Sequence, residues 1–168
     1  IKKTKVSLAS RVFSESTRNA IRYYIEHGYS QWKGTLKFLD LIGKWWNMLN
    51  VKSPSNRRRK RNSDCEKISV ENYNQMEAFF SKIVEWIDPL KSSGEQGLSN
   101  RTFKTFKQTS SANPLLTQYL ISEVGLEYVL TGKIQSDFLE KRFGSYRQLS
   151  GANYFPTEKQ FLEAEKAI

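Results

Sequence analysis

Cysteine and histidine are nearly absent from this chain, which contains one of each, Cys65 and His27, among 168 residues. A single cysteine excludes an internal disulfide framework and any cysteine-based zinc site. A single histidine excludes a histidine cluster, and no Ser/His/Asp or Cys/His catalytic set can be assembled. No stretch approaches the roughly 20 apolar residues that span a membrane. The sequence therefore predicts no membrane partner.

The start of the sequence lacks both a methionine and a secretory signal. It begins Ile1-Lys2-Lys3, which indicates a fragment excised from a longer protein. Phosphate-binding Gly-Lys-Ser/Thr loops and dinucleotide-binding glycine motifs are absent as well. The charged and aromatic residues are therefore the remaining source of functional information.

Positive charge is abundant in this sequence. The chain has 27 Lys and Arg residues against 17 Asp and Glu residues, a formal net charge of +10. Such a charge indicates an anionic partner, and nucleic acid is the first candidate. Basic surfaces also occur on proteins that bind no nucleic acid, so composition leaves that alternative open.

The charge is most concentrated in a predicted linker at residues 51–68, which contains Pro54 and several Ser and Asn residues. Five consecutive cations repel one another, so we expect a flexible, solvated loop. Three interpretations remain: phosphate contacts with DNA, a nuclear localisation signal, or a solvated loop without either role. Phosphate contacts carry no base specificity. The five candidate DNA-binding residues are Arg57, Arg58, Arg59, Lys60 and Arg61.

Apolar residues at helical spacing predict a mainly α fold with few or no strands. We expect a break in the first helix near Ser14, with Ser14 or Ser16 capping its second part and Gly28 ending it. Pro89 is expected to end the third helix, and Pro114 to open a later one. Residues 126–134 fit either a strand or a helical turn. Tryptophans in the second helix fit core packing better than stacking on bases. The predicted helices cover residues 6–27, 30–50, 69–90, 103–106 and 114–123, with a last one after Pro156.

The most informative stretch is a predicted helix over residues 137–146, with Ser136 as its N-cap. Glu140 lies beside its apolar face and has no Lys or Arg at offsets of three or four residues. Its carboxylate therefore either points to water or binds a cation such as Mg²⁺. The residues of the predicted core stripe are Leu139, Phe143 and Tyr146.

Two segments carry a recognisable pattern. Residues 5–14 read Lys-Val-Ser-Leu-Ala-Ser-Arg-Val-Phe-Ser. Residues 135–144 read Gln-Ser-Asp-Phe-Leu-Glu-Lys-Arg-Phe-Gly, and Gly-Ala-Asn-Tyr-Phe-Pro-Thr follows at residues 151–157. In this order they resemble the C-terminal catalytic region of P-element-type DNA transposases, the group that includes the THAP9-like proteins.

This resemblance implies an RNase H-like catalytic domain, in which two aspartates and a glutamate hold two Mg²⁺ ions for DNA cleavage and strand transfer. Glu140 stands at the position of the family's glutamate and would be a catalytic metal ligand. Asp137 matches an aspartate associated with recognising the guanine of GTP, which these transposases use as a cofactor. DNA is the implied partner, the nucleus is the implied compartment, and a homo-oligomer is compatible with both.

The resemblance also implies three parts of the chain. Residues 1–29 would follow the second catalytic aspartate, residues 30–130 would form a helical insertion of the GTP-binding type, and residues 131–168 would carry the glutamate helix. The two aspartates are expected upstream of Ile1, so the fragment is not expected to be active alone. The main alternative is a domesticated transposase-derived module that binds DNA or protein without catalysis. Another is a helical scaffold whose charge maintains solubility.

Overall fold

The computed structural model describes residues 10–92 and 99–167, except for the side chains of residues 89–92 and 137. This part of the chain forms seven α-helices and no β-strand. None of the described helices is both long enough and apolar enough to cross a membrane. The chain divides into two compact units between Lys133 and Ile134. The predicted mainly α fold is confirmed.

The first unit contains five α-helices, and the last two pack side by side. The helices are α1 (Glu15–Glu26), α2 (Lys33–Leu49), α3 (Asn56–Lys60), α4 (Tyr73–Ser92) and α5 (Asn100–Ser122). Three 3₁₀ turns accompany them, at Ser30–Trp32, Ser63–Cys65 and Thr131–Lys133.

Local signals in the sequence set both ends of α1. Residues 10–12 are helical, the chain turns at residues 13 and 14, and the Ser14 hydroxyl then accepts a hydrogen bond from the Thr17 amide at 3.3 Å. Gly28 follows the helix with a φ of 101°, a conformation that favours glycine. The predicted break near Ser14 is confirmed, whereas residues 6–9 lie outside the described residues.

The core of the first unit lies where α2 and α4 meet the segment around Ile68. Phe80 is 1% exposed there, so its ring is removed almost completely from water. The buried cluster consists of Met48, Leu49, Ile68, Met76 and Phe80, with Trp45, Tyr73, Phe79 and Ile121 packed against it.

An isolated antiparallel bridge joins the segments that flank α4 and α5. The Ile68 amide donates to the Val129 carbonyl at 3.0 Å, and the Val129 amide donates back at 2.7 Å. Close by, the buried Thr131 hydroxyl donates to the Met48 carbonyl at 2.5 Å. Residues 126–134, for which the sequence allowed a strand or a helical turn, thus contain one bridge and one 3₁₀ turn.

Two prolines do not delimit helices as predicted. α4 continues through Pro89, and α5 runs unbroken through the buried Pro114. Proline has no N–H, so the Ser110 carbonyl loses its helical partner. The side-by-side packing of α4 and α5 outweighs this local cost. The predictions of a helix end at Pro89 and of separate helices at residues 103–106 and 114–123 are therefore wrong.

The prediction of a loop at residues 51–68 is also wrong, because the segment contains α3 and a 3₁₀ turn, although its five cations are exposed to solvent as expected. Arg57 Nη1 bonds to Glu66 Oε1 at 2.6 Å, and Arg59 Nη2 donates to Asn56 Oδ1 at 2.8 Å. These contacts offset part of the repulsion between the cations and allow α3 to form. Four residues of the segment are buried and anchor it: Val51, Asn56, Cys65 and Ile68.

The second unit consists of α6 (Asp137–Leu149) and α7 (Glu158–Ala167). The rings of Tyr146 and Phe161 pack with centroids 4.4 Å apart. The Tyr146 hydroxyl and the Arg142 guanidinium both donate to the Glu165 carboxylate. A turn with positive φ at Gly151 (71°) and Ala152 (61°) leads towards α7.

The predicted helix at residues 137–146 is confirmed, but its predicted core stripe is only partly buried. Tyr146 is 5% exposed, whereas Leu139 is 58% exposed and Phe143 is 50% exposed. A two-helix unit has too little surface to cover a whole helical face, so the burial is confined to the contact with α7. The last helix begins at Glu158, and the Thr157 hydroxyl accepts a hydrogen bond from the Gln160 amide at 3.3 Å.

Candidate functional site

A cleft of about 820 Å³ lies in the first unit between α1, α2 and the residues that follow α3. Its size is within the range of ordinary small-molecule sites. Five cationic and three anionic side chains line it, so the lining has a net charge of +2. The cations are Arg18, Arg22, Lys44, Lys60 and Arg61, and the anions are Glu15, Asp40 and Asp64.

Arg18 is the buried cation of this cleft. Its side chain is 10% exposed, it donates a hydrogen bond to Glu15, and its Nε lies 3.6 Å from Asp40 Oδ1. This Nε–H has no hydrogen-bond partner among the described residues. Gly43 on α2 leaves the room that the guanidinium needs, because a Cβ there would lie 2.5 Å from Arg18 Nη1. The fold thus holds a buried guanidinium, paired with two carboxylates, in the wall of the cleft.

Arg22 links α1 to α2 across the cleft. Its Nη1 donates to Glu15 Oε1 at 3.1 Å and to Asn19 Oδ1 at 2.7 Å, and its Nη2 donates to Asp40 Oδ1 at 2.9 Å. The hydrogen bond from Arg22, supported by the charge of Arg18, lowers the pKa of the Glu15 carboxyl below its usual value. Glu15 is therefore ionised at neutral pH and fixes the positions of both arginines.

Apart from Lys60 and Arg61, which it assigned to DNA, sequence reasoning missed the charged residues of this cleft because it followed the apolar faces of the helices. A signal was nevertheless present. Glu15, Arg18 and Arg22 are spaced by three and four residues, so they share one face of α1. Asp40 and Lys44 are four residues apart and share one face of α2. What the sequence could not show is that these two faces meet.

The residues after α3 form the third wall of the cleft. Arg61 has a left-handed backbone conformation, with φ 50° and ψ 38°, and ends α3. Asn62 Oδ1 then accepts a hydrogen bond from the Asp64 amide at 2.8 Å, which shapes the following turn. Lys44 Nζ lies 3.7 Å from Asp64 Oδ1 and ties this turn to α2.

Cys65 lies next to this wall and is fully buried. Burial raises the pKa of its thiol, and the nearby Lys60 ammonium opposes that rise only in part. The thiol is therefore neutral at pH 7 and a poor nucleophile.

The tryptophans of the second predicted helix have different surroundings. Trp45 is packed, since its Nε1 donates to Ser110 Oγ at 3.0 Å and its ring lies 4.6 Å from that of Phe106. Trp46 is 43% exposed and lines the cleft, and Trp32 is 46% exposed. The predicted core packing holds for Trp45, whereas Trp46 provides an aromatic surface beside the cations.

Glu140, the predicted metal ligand, is exposed near the start of α6 and accepts a hydrogen bond from the Ser136 hydroxyl at 2.7 Å. Ser136 stands at the predicted N-cap position and its carbonyl accepts from the Glu140 amide at 2.9 Å, but its side chain makes no capping hydrogen bond. Among the described residues, no group of three His, Cys, Asp or Glu side chains is arranged to hold a metal ion. The side chain of Asp137, the predicted guanine contact, lies outside the described residues. The metal and guanine roles remain predictions.

The five predicted DNA-binding residues are all exposed, but they do not share one environment. Arg57 and Arg59 bond to neighbouring side chains, and Arg58 makes no ion pair with any residue that the structure describes. Lys60 and Arg61 line the cleft. Their binding to DNA remains a prediction.

Three comparisons relate this chain to known proteins. Residues 1–62 match the family model described as TNP-like, GTP-binding insertion domain. The chain is 26% identical over 163 residues to the Transposable element P transposase of Drosophila melanogaster, covering 95% of this chain and 21% of that relative. The structure resembles a chain of the Drosophila P element transposase strand transfer complex, with a TM-score of 0.71 and 22% identity, covering 95% of this chain and 35% of that one.

These matches confirm the resemblance to P-element-type transposases and the helical fold expected from it. The chain spans about one fifth of the length of the curated relative that it matches. The insertion-domain match begins at residue 1, before the insertion boundary predicted at residue 30. That boundary therefore remains a prediction.

Proposed function

We propose that this chain is a transposase segment that binds GTP in the charged cleft of its first unit. One observation carries the proposal: the GTP-binding insertion-domain model matches residues 1–62, and nearly all the residues that line the cleft come from this stretch. The stretch that matches the GTP-binding family model thus also forms most of a concave, cationic surface.

The chemistry of the cleft suits a nucleoside triphosphate. A triphosphate chain is strongly anionic, and charge-assisted hydrogen bonds from guanidinium groups to phosphate are among the strongest in proteins. Arg22 and Lys44 are only partly buried, so their charged ends can reach a ligand in the cleft. The exposed face of Trp46 is available for stacking on the base.

The carboxylates of Glu15 and Asp40 have a supporting role in this proposal. They hold Arg18 and Arg22 in fixed positions before any ligand arrives, which lowers the ordering cost of binding. They also compensate charge that would otherwise repel across the cleft. A bound triphosphate would therefore meet cations that are already oriented.

Calorimetric titration of the full chain with GTP tests this proposal. We expect Arg22→Gln and Lys44→Gln each to weaken GTP binding about tenfold, the effect of one lost charge-assisted hydrogen bond. Arg101→Gln and Lys82→Gln serve as matched controls, because each removes one charge from an exposed position outside the cleft. Equal losses in all four variants, or no binding by the unmodified chain, would contradict the proposal. Titration with ATP measures selectivity for guanine.

We further propose that the second unit serves DNA cleavage and strand transfer in the complete transposase, with Glu140 as a ligand of Mg²⁺. The likeness along 95% of the chain supports this role, as does the exposure of a carboxylate whose one hydrogen bond among the described residues comes from the Ser136 hydroxyl. Mg²⁺ would supply activation of the attacking oxygen and stabilisation of the leaving oxygen at the DNA phosphodiester. The described residues offer no complete metal site, so the other ligands must come from elsewhere in the transposase.

Glu140→Ala in the full-length transposase tests the metal role. We expect loss of Mg²⁺-dependent strand cleavage with unchanged DNA binding, because the carboxylate is exposed and contributes little to folding. Glu163→Ala is the control, since it removes an exposed carboxylate from α7. Normal cleavage by the Glu140 variant would refute the role. If the unmodified protein and both variants bind DNA but none of them cleaves it, the protein is instead a domesticated binding module.

The exposed arginines of α3 are the proposed DNA contact, acting in the nucleus as expected for a transposase. Replacing Arg57, Arg58 and Arg59 by Gln should flatten the dependence of DNA affinity on salt. The log–log slope is expected to fall by about 0.9 for each phosphate contact that is lost. An unchanged slope would remove α3 from the DNA surface.

A further inference from the structure

The basic segment, defined as Arg57–Arg61, runs from an exposed helix into the cleft. Arg57, Arg58 and Arg59 belong to the exposed surface of α3, whereas Lys60 and Arg61 line the cleft. A run that looks uniform in the sequence is therefore divided between two surfaces.

Lys60 and Arg61 differ from the other three cations of the cleft in having no carboxylate partner within the described part of the chain. Arg18 and Arg22 pair with Glu15 and Asp40, and Lys44 lies close to Asp64. The three carboxylates thus compensate three of the cations. The net charge of +2 is in effect the charge of Lys60 and Arg61, and without them the cleft would be neutral.

The backbone at Arg61 gives a second, independent observation. The Arg61 amide donates to the Arg58 carbonyl at 3.4 Å and the Asn62 amide donates to the Arg57 carbonyl at 3.2 Å, so Arg61 takes the left-handed position that ends a helix. Glycine is favoured at this position, and other residues are strained there. The fold therefore does not account for an arginine at residue 61. A guanidinium placed at the cleft does account for it, because strained residues occur where function requires them.

We propose that Lys60 and Arg61 bind the polyphosphate chain of the nucleotide in this cleft, rather than DNA. The inference rests on the proposed GTP-binding function and assigns two further binding residues to it. A nucleotide fits a concave site of this volume. The two cations would neutralise phosphate charge from the side of the cleft that lies opposite α1 and α2.

Three single variants of the full 168-residue chain test the proposal. Arg61→Gly removes the guanidinium and relieves the backbone strain, Lys60→Gln removes the ammonium, and Arg58→Gln removes one charge from the same short segment but outside the cleft. Each variant is titrated with inorganic tripolyphosphate, with GTP and with duplex DNA, and its unfolding temperature is measured.

We expect Arg61→Gly and Lys60→Gln each to weaken tripolyphosphate and GTP binding about tenfold. Arg58→Gln should leave both affinities unchanged. The unfolding temperature of Arg61→Gly should stay the same or rise, which separates lost binding from lost folding.

Two results would overturn the inference. Equal weakening by Arg58→Gln would mean that only the overall charge of the segment matters. Weakened DNA binding with unchanged tripolyphosphate and GTP affinity would assign Lys60 and Arg61 to the DNA surface. If Arg22→Gln weakens GTP binding while Lys60→Gln and Arg61→Gly leave it unchanged, the proposed function stands and this inference fails. If the unmodified chain binds neither GTP nor tripolyphosphate, both fail.

Discussion

Gly43→Ala is expected to destabilise the first unit, although Gly34→Ala in the same helix is expected to stabilise it. Both glycines lie in α2, and alanine is favoured over glycine in a helix by about 0.5–1 kcal/mol. Nothing lies within 4 Å of the place where a Cβ at Gly34 would stand. At Gly43 the added Cβ would lie 2.5 Å from Arg18 Nη1 and 3.4 Å from Arg18 Cζ.

The size of the destabilisation depends on the cost of displacing the Arg18 guanidinium. Its guanidinium is the end of a flexible side chain, but it is nine-tenths buried and bonded to Glu15. Moving it costs about 1–3 kcal/mol, as overpacking usually does. The gain from alanine is common to both variants and cancels, so the two should differ by the cost of moving Arg18, about 2 kcal/mol. For a unit of this size, that corresponds to a difference of about 7 °C in unfolding temperature.

Thermal unfolding of both variants, followed by circular dichroism, measures this difference. In an Arg18→Ala background the penalty at Gly43 should disappear, because the atom that clashes is gone. Equal stabilisation by Gly43→Ala and Gly34→Ala would refute the view that Gly43 exists to accommodate Arg18. GTP affinity should also fall in Gly43→Ala and stay unchanged in Gly34→Ala.

Phe80→Ala should lower the free energy of unfolding of the first unit by about 3–5 kcal/mol, since it empties a fully buried position, and urea denaturation measures the loss. A loss below about 1 kcal/mol would place Phe80 outside the core. In the second unit, hydrogen bonds from Tyr146 and Arg142 lower the pKa of Glu165. The resulting stabilisation is present above the unfolded-state pKa near 4.5 and is lost as pH falls through the lower, folded-state value. Glu165→Gln should therefore flatten the loss of stability below about pH 4.5, and an unchanged acid profile would contradict this.

Local rules in the sequence were reliable where few other residues interfere. The Ser14 cap, the glycine after α1 and the helix at residues 137–146 depend on neighbours within one or two turns, and all are present. Pro114 shows the limit of such rules, because packing between α4 and α5 overrides its effect on the backbone. The helix that contains it could not be predicted from its own residues.

The candidate sites divide in the same way. Glu140 became a candidate through the absence of a Lys or Arg among its helical neighbours, which is a local property, and its metal role stays a prediction. The cleft was not found, because it requires Glu15, Asp40 and Asp64 to meet from three separate segments. Repulsion within the basic segment was overestimated for the same reason, since Glu66 compensates Arg57 only after the chain has turned.

The bridge between Ile68 and Val129 has a consequence for how this fold tolerates change in evolution. The chain leaves the body of the first unit at Ile68 and returns at Val129, which is hydrogen-bonded to it at both amides. The helix pair between them therefore begins and ends at one point of the first unit. Its inner side is tied to the cleft, because Met76 and Phe80 of α4 pack against Met48 and Leu49 of α2, which forms one wall. Substitutions are therefore expected to be tolerated on the outer surface of the pair, which can change without moving that wall.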